Sequence, residues 1–482
     1  MKRFQETKQD FGYQYIQFHD VLMKDYFNSI EKINPEFLKY KGCSIKGIIE
    51  KSIFAKFIYY QPLRDRFNEF WKNGGMPNHL KEQYYNDAYA EFIHNEMELV
   101  AELKNEKDET KFDDKVKKKL ENALDPCKGK IIYYAYNLRF LELALPILSK
   151  IPEEVIVLTY QDIPESSNYP ENIMLVEFPV IKMRTCKNVF LKLKFPELYH
   201  LFYNLEMLLK IIEPKSIIIL EGFNVVEYNI LAVIGKAQKI KTVCVQHGWP
   251  GILYSGFHNM QFDYFLSWGK SFTNLLKPNN PDPKFITVGY PYSVPLKVQE
   301  KNSISFFFQG PYFVSTSAVI EEMISFAIFC ATTFPEFDIL LREHPTSTIR
   351  TKRMDLLNSF ENIKFVSHNK ISLSDVLKKS IFSVSVFSST LMESIAYNSI
   401  PFIFNLTSMP NYYPNLQEMA LGIEIKTIEE AQIRIKELLE SDIKLEILRK
   451  NMSNCKSDYF ECTGNEAIER AANEILKISN GL

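Results

Sequence analysis

No two cysteines of this chain stand at C-x-x-C spacing; all seven are scattered singly, at positions 43, 127, 186, 244, 330, 455 and 462. That spacing argues against a zinc site or a disulfide framework and fits reduced thiols. Long hydrophobic runs are missing as well. No apolar stretch reaches the ~18 residues that a membrane span requires. The opening Met-Lys-Arg-Phe-Gln-Glu is polar from its first residue, so no secretory leader is expected. An excess of one charge is also absent: 57 basic and 59 acidic side chains leave a formal −2, which argues against nucleic acid as a partner. Without a G-x-x-x-x-G-K-[ST] loop a P-loop kinase is disfavoured, and without G-x-G-x-x-G so is a nicotinamide enzyme. The body of the second half has no D-x-D motif, histidine and cysteine show no metal-ligand spacing, and no repeat has a solenoid period. The chemistry is therefore expected to need neither metal nor cofactor.

What is present is the composition of a soluble globular protein, 46% apolar and 24% charged. A length of 482 residues exceeds one core and predicts two or three domains. A cytoplasmic location is expected. Aromatic residues make up 14% of the chain, many of them interleaved with lysine, which leaves room for contact with the inner face of the membrane.

Residues 1–125 read as a helical N-terminal domain. Apolar positions recur at helical spacing in Val21-Leu22-Tyr26-Phe27-Ile30 and in Ile53-Phe54-Phe57-Ile58. Residues 102–124 mix lysine and acids, as a solvated helix or linker does. From Lys130 onward, strands alternate with helices. Strands are expected at 131–135, 154–158, 173–176, 216–220, 241–245 and 264–267. These runs carry few polar residues, which is the pattern of strands covered on both faces. A second unit predicts strands at 304–308, 337–341, 363–366, 382–387 and 401–404, with helices at 317–333, 373–379 and 391–397. Residues 289–300 read as the linker. The fold class expected is α/β: two doubly wound Rossmann-like domains, 126–290 and 291–482, facing a cleft as in the GT-B architecture.

Two motifs dominate the second unit. Leu340-Leu341-Arg342-Glu343-His344-Pro345 runs from a strand into charged residues and a proline. Val386-Phe387-Ser388-Ser389-Thr390-Leu391-Met392-Glu393 opens a strand into a helix. Hydroxyls and free backbone N–H groups at a helix start suit a phosphate, and a nearby histidine can neutralise or protonate it as it leaves. The pair points to a transferase that cleaves a nucleotide-activated donor. Each residue also has a plainer reading. His344 can be a surface histidine, Ser388 to Thr390 an N-cap run, and Glu393 a first-turn carboxylate favouring the helix dipole or a partner for ribose. Gln309-Gly310, after the strand at 304–308, borders the nucleotide or simply turns the chain. In the first unit Glu221-Gly222 ends a strand, with Glu227 a second carboxylate on the next helix. Gln246-His247-Gly248-Trp249 ends another, and Asn137 follows the first strand as a donor or acceptor contact. Trp249, Tyr254 and Phe257 can form an aromatic platform for a sugar ring.

His-Pro followed by Ser-Ser/Thr on a second Rossmann-like unit resembles the bacterial GT-B sialyltransferases and the related Kdo and capsule polysaccharide transferases. The likeness covers residues 128–410 as architecture and only short stretches as motif. It implies that His344 with Ser388 and Ser389 holds the phosphate of a CMP-activated sugar acid, with Arg342, Pro345, Thr390, Glu393, Gln309 and Gly310 around the nucleotide. It also implies a catalytic base from an acid before a glycine, here Glu221, although Leu220 stands where the family has a second acid. The Gln246-His247-Gly248 turn is similar to turns in capsule-type transferases and UDP-GlcNAc 2-epimerase, and makes His247 a second catalytic candidate. Asn137, Gln246, Gly248 and Trp249 then fall on the acceptor side, and Gly289-Tyr290-Pro291 looks like the interdomain hinge. The expected activity is transfer of a sialic, pseudaminic or Kdo-type acid from CMP to a surface glycan or lipid-linked glycan. The alternatives are a UDP-sugar or CDP-glycerol donor, an epimerase, or a non-catalytic scaffold whose helical front end recruits an assembly partner.

Overall fold

In the computed structural model the chain is described over residues 114–159, 169–177, 195–220, 226–248, 260–292, 294, 301–309, 317–344, 348–349, 351–386, 388–406, 416–417 and 421–482, with parts of 27–48. It divides into two compact units, with boundaries at Pro291/Tyr292 and Asn465/Glu466. Both are doubly wound α/β units, which is the fold class the alternation of elements predicts.

Among the described residues of the first unit, a 3-10 turn (Pro35–Leu38) leads into a small antiparallel ribbon, β1 (Lys39–Tyr40) and β2 (Cys43–Ser44), turned by Gly42 at φ 82°. This ribbon departs from the all-helical reading of the front segment, most of which lies outside the described residues. Tyr40 anchors it: the ring stacks on Phe202 at 4.5 Å and the hydroxyl donates to the Glu206 carboxylate. Then follow α1 (Asp114–Leu124), β3 (Ile131–Ala135), α2 (Leu138–Leu148), β4 (Val155–Thr159), β5 (Ile173–Glu177), α3 (Phe195–Ile212), β6 (Ser216–Leu220), α4 (Val226–Gln238), β7 (Lys241–Val245), β8 (Tyr264–Ser267), α5 (Lys270–Leu276) and β9 (Lys284–Thr287). The seven-stranded sheet has the order β5-β4-β3-β6-β7-β8-β9, and every pair is parallel. Strand order thus reverses between β3 and β6.

The second unit runs β10 (Ser303–Phe307), α6 (Ser317–Thr333), β11 (Asp338–Arg342), α7 (Met354–Asn358), β12 (Ile363–Val366), α8 (Leu373–Lys379), β13 (Ser380–Ser385), α9 (Ser389–Ala396), β14 (Ile400–Phe404), β15 (Ile423–Ile425), α10 (Ile428–Leu439) and α11 (Asp442–Tyr459). Its six parallel strands are ordered β12-β11-β10-β13-β14-β15, with the reversal between β10 and β13. β9 and β15, both edge strands, are absent from the sequence reading because each is short and mixes apolar with polar residues.

The last helix, α12 (Asn465–Ser479), belongs to the core of the first sheet. Its stripe of Ala467, Ile468, Ala471, Ala472, Ile475 and Ile478 is buried. Ala471, Ala472, Ile475 and Ile478 join the cluster formed by Leu141, Ile147, Val157 and Ile218. The Ser216 and Ser479 hydroxyls meet at 2.6 Å, and Asn480 donates to Glu153 at 3.0 Å. The sequence reading grouped these residues with the second unit, because periodicity identifies a buried stripe but not the surface that buries it.

α4 is buried on every side from Val226 to Gly235, so it must fit its surroundings closely. A Cβ on Gly235 would lie 2.6 Å from Thr242 Cγ2 and 3.2 Å from the Ile240 carbonyl oxygen. Thr242 cannot swing away, because its N–H and hydroxyl are both bonded to the Asp263 carboxylate, at 2.8 and 3.0 Å. Gly235→Ala gains about 1 kcal/mol of helix propensity but meets an overpacking cost of about 1–3 kcal/mol. The variant is expected to melt a few degrees below the wild type; a rise in Tm would refute the close packing of α4 on β7.

Lys301 donates to the carbonyls of Leu377, Lys378 and Ser380, closing the C-terminal end of α8. Burial pulls its pKa down to about 8, with Arg449 and Lys456 adding repulsion. A free lysine titrates near ~10.4. Between those values the unfolded chain keeps a proton that the folded chain has lost, so this group makes stability rise with pH across that window. Urea midpoints for Lys301→Met should rise less between the two ends of the window than those of the wild type.

Candidate functional site

An open parallel sheet offers its ligand site where strand order reverses, at the carboxyl ends of the strands.

In the second unit the reversal places the ends of β10 and β13 side by side, with β11 on the other flank of β10. Phe308 N–H donates to the Arg342 carbonyl at 3.0 Å, and the Ser385 hydroxyl donates to the Phe307 carbonyl at 2.8 Å. The end of β10 is thus clamped between Arg342 and Ser385, and Gln309 is the next described residue outward. The strand expected at 337–341 lies one residue later, so Arg342 is its last residue and only 8% exposed. Its guanidinium donates to the Ile371 carbonyl at 2.7 Å, and no carboxylate pairs with it among the described residues. Burial alone lowers its pKa. Glu343 accepts from Ile349 N–H at 2.9 Å, and His344 is partly buried. Pro345 and Gly310 lie outside the described residues.

Ser388 is the N-cap of α9. Its extended backbone (φ −161°, ψ 140°) points the hydroxyl oxygen at Thr390 N–H, 3.2 Å away. The helix therefore begins at Ser389, two residues earlier than the sequence reading has it. Glu393 is consequently its fifth residue, in the second turn, and not in the first turn as expected. At that depth the helix dipole has little effect on it. Ser388, Ser389 and Thr390 are all partly buried at the start of the helix.

The corresponding rim of the first unit carries Asn137, Gln246, His247 and Gly248. Asn137 is the N-cap of α2 and accepts from Phe140 N–H at 2.9 Å. Phe140 packs on His247, ring centroids 5.1 Å apart, so the cap after β3 holds the histidine after β7 across the point of reversal. Gln246 is fully buried. Its amide oxygen accepts from Trp268 N–H at 2.9 Å, its amide nitrogen donates to the Gly248 carbonyl at 3.0 Å, and its own carbonyl accepts from the Trp268 indole at 3.0 Å. Gln246 is a brace beneath His247 and Gly248. Glu227, in the first turn of α4, is 7% exposed, and burial raises its carboxyl pKa. Glu221 and Trp249, with Tyr254 and Phe257, lie outside the described residues. Ser385, on the rim of the second unit, is a functional-site neighbour without a sequence signal, since a serine at the end of a strand is ordinary by itself.

Among the described residues no group of three or more His, Cys, Asp or Glu could hold a metal ion, and no helix is long and apolar enough to cross a membrane.

No protein-family model matches the chain, and no curated protein matches it in sequence. Solved structures do. A co-structure of Staphylococcus aureus MnaA with UDP superposes with a TM-score of 0.51 at 13% identity, covering 73% of this chain and 98% of that one. UDP-GlcNAc 2-epimerase from Neisseria meningitidis, bound to UDP-GlcNAc, gives 0.47 at 12% identity over 74% of this chain and 100% of that one. A variant of the wall teichoic acid polymerase TagF gives 0.47 at 11% identity over 81% and 98%. The match to MnaA establishes the paired Rossmann-like fold of the GT-B type, and likeness at such identities goes no further than fold.

Gln246→Leu would strand the Gly248 carbonyl and the Trp268 N–H in the interior, at about 1–3 kcal/mol for each lost partner. A lowered Tm and a shifted tryptophan emission spectrum are expected, and an unchanged Tm would contradict the brace.

Proposed function

We propose that the protein is a GT-B glycosyltransferase that moves a sialic, pseudaminic or Kdo-type sugar acid from a CMP-activated donor to a growing bacterial surface glycan. One observation carries the reading: Arg342, a buried guanidinium that pairs with no carboxylate among the described residues, at the carboxyl end of β11, one strand from the reversal of strand order in the second sheet. A buried charge is tolerable when paired, and an anionic ligand at this rim supplies the missing partner. Arginine binds phosphate with parallel N–H donors. The hydroxyls and N–H groups at the start of α9 add further donors.

In this reading the bond between the anomeric carbon and the phosphate oxygen breaks, and its electron pair leaves with CMP. An acceptor hydroxyl oxygen forms the new bond and gives up its proton to a base of the first unit, with Glu221 and His247 as candidates. Arg342 and His344 stabilise or protonate the departing phosphate, and most of the acceleration comes from positioning and charge stabilisation. The reaction needs no metal in this scheme. The enzyme works in the cytoplasm, where a lipid-linked acceptor is reached at the inner face of the membrane. A second reading, a UDP-sugar enzyme, is favoured by the likeness to MnaA determined with UDP.

Thermal-shift and calorimetric titrations with CMP, CDP, UMP and UDP separate the two, because a ligand stabilises the fold it binds. Selective binding of CMP is expected; selective binding of UDP moves the assignment to the second reading. Arg342→Met should melt no lower than the wild type, since an unpaired buried charge gives way to an apolar side chain. It should weaken nucleotide binding about tenfold or more. Unaltered nucleotide affinity in this variant would remove Arg342 from the site.

A further inference from the structure

Gln309 carries a side-chain oxygen that is shut away from solvent and has no hydrogen-bond donor among the described residues. Such an oxygen is an unmet demand, and native structures rarely leave one without a reason. Location decides what it means here. Ser303 Oγ is also without a partner, but it sits at the amino end of β10, away from the edge where a parallel sheet binds ligands. The unpartnered amide of Asn204 lies within α3. Only Gln309 among these three stands at the carboxyl end of a strand beside the reversal of strand order. The residues before it are pinned from both sides, by Phe308 N–H on the Arg342 carbonyl and by the Ser385 hydroxyl on the Phe307 carbonyl. The rim therefore offers two complementary demands one strand apart: a guanidinium that lacks an anion and a carbonyl oxygen that lacks a donor.

We infer that Gln309 is a specificity-determining residue whose side-chain oxygen accepts a hydrogen from an N–H or O–H of the nucleotide whose phosphate binds Arg342. The inference rests on the proposed nucleotide site and goes further by assigning the non-phosphate half of the ligand to a named atom. The donated hydrogen comes from either of two sources, the base (an exocyclic amine or ring N–H) or a ribose hydroxyl.

The test compares wild type with Gln309→Leu by calorimetry, using CMP, UMP, 2′,3′-dideoxycytidine monophosphate and inorganic pyrophosphate. Leucine removes the acceptor at similar volume. Whichever of CMP and UMP the wild type binds should bind about three- to tenfold more weakly to the variant, while pyrophosphate, which has neither base nor ribose, binds both proteins equally. If the base is the donor, the dideoxy nucleotide binds the wild type as CMP does and loses affinity in the variant. If ribose is the donor, it binds the wild type weakly and loses nothing more. The free variant should melt at or above the wild-type temperature, because it no longer buries an unpartnered oxygen; a purely structural glutamine would melt lower when replaced. An affinity for that nucleotide within twofold of wild type would overturn the inference and leave the nucleotide site standing. An equal loss for pyrophosphate would overturn it as well, by showing general damage to the rim. Failure of every nucleotide to bind the wild type would instead remove the proposed function beneath it.

Discussion

Parallel strand pairing is the constraint on which the rest of this protein depends. A parallel sheet requires a crossover for every strand, and those crossovers cover both faces with helices. Ligands are then left one edge, where the carboxyl ends of the strands emerge, and one place along it, where strand order reverses. Both units obey this rule. The first reverses between β3 and β6 and the second between β10 and β13, and the residues singled out for chemistry follow these strands or their neighbours β7 and β11.

The two rims are built differently. In the first unit Asn137 caps α2, Phe140 packs on His247, and Gln246 is held by Gly248 and Trp268. The rim of the second unit is under-satisfied, with a buried guanidinium lacking a counter-charge and a buried amide oxygen lacking a donor. Burying such groups without partners opposes folding, and the large apolar core of β10, β11 and β13 offsets it. Stability gained in the sheet supports polarity at its edge.

Much of the architecture was legible in the chain. Continuous apolar runs such as Ile131–Ala135 and Ser216–Leu220 could only be strands covered on both faces, and their alternation with helices named the fold class. Short edge strands were not legible, since Ile423–Ile425 is too brief for any period to register. Helix starts were legible only to within a turn. Three consecutive hydroxyl residues, Ser388, Ser389 and Thr390, can each cap a helix, and the sequence cannot choose among them. The choice fell on Ser388, which moved Glu393 out of the first turn.

The amino-acid sequence by itself determined which segments become strands and helices, because periodicity and turn chemistry are local properties. It also determined which residue types reach the rims, since these follow directly from strand ends. Tertiary structure decided everything that depends on a partner distant in the chain. It assigned α12 to the first sheet, joined the Gln246 amide to a tryptophan 22 residues away, and left Arg342 without a carboxylate and the Gln309 oxygen without a donor among the described residues. Whether a polar atom is met or unmet depends on every group packed around it, and no local pattern contains that information.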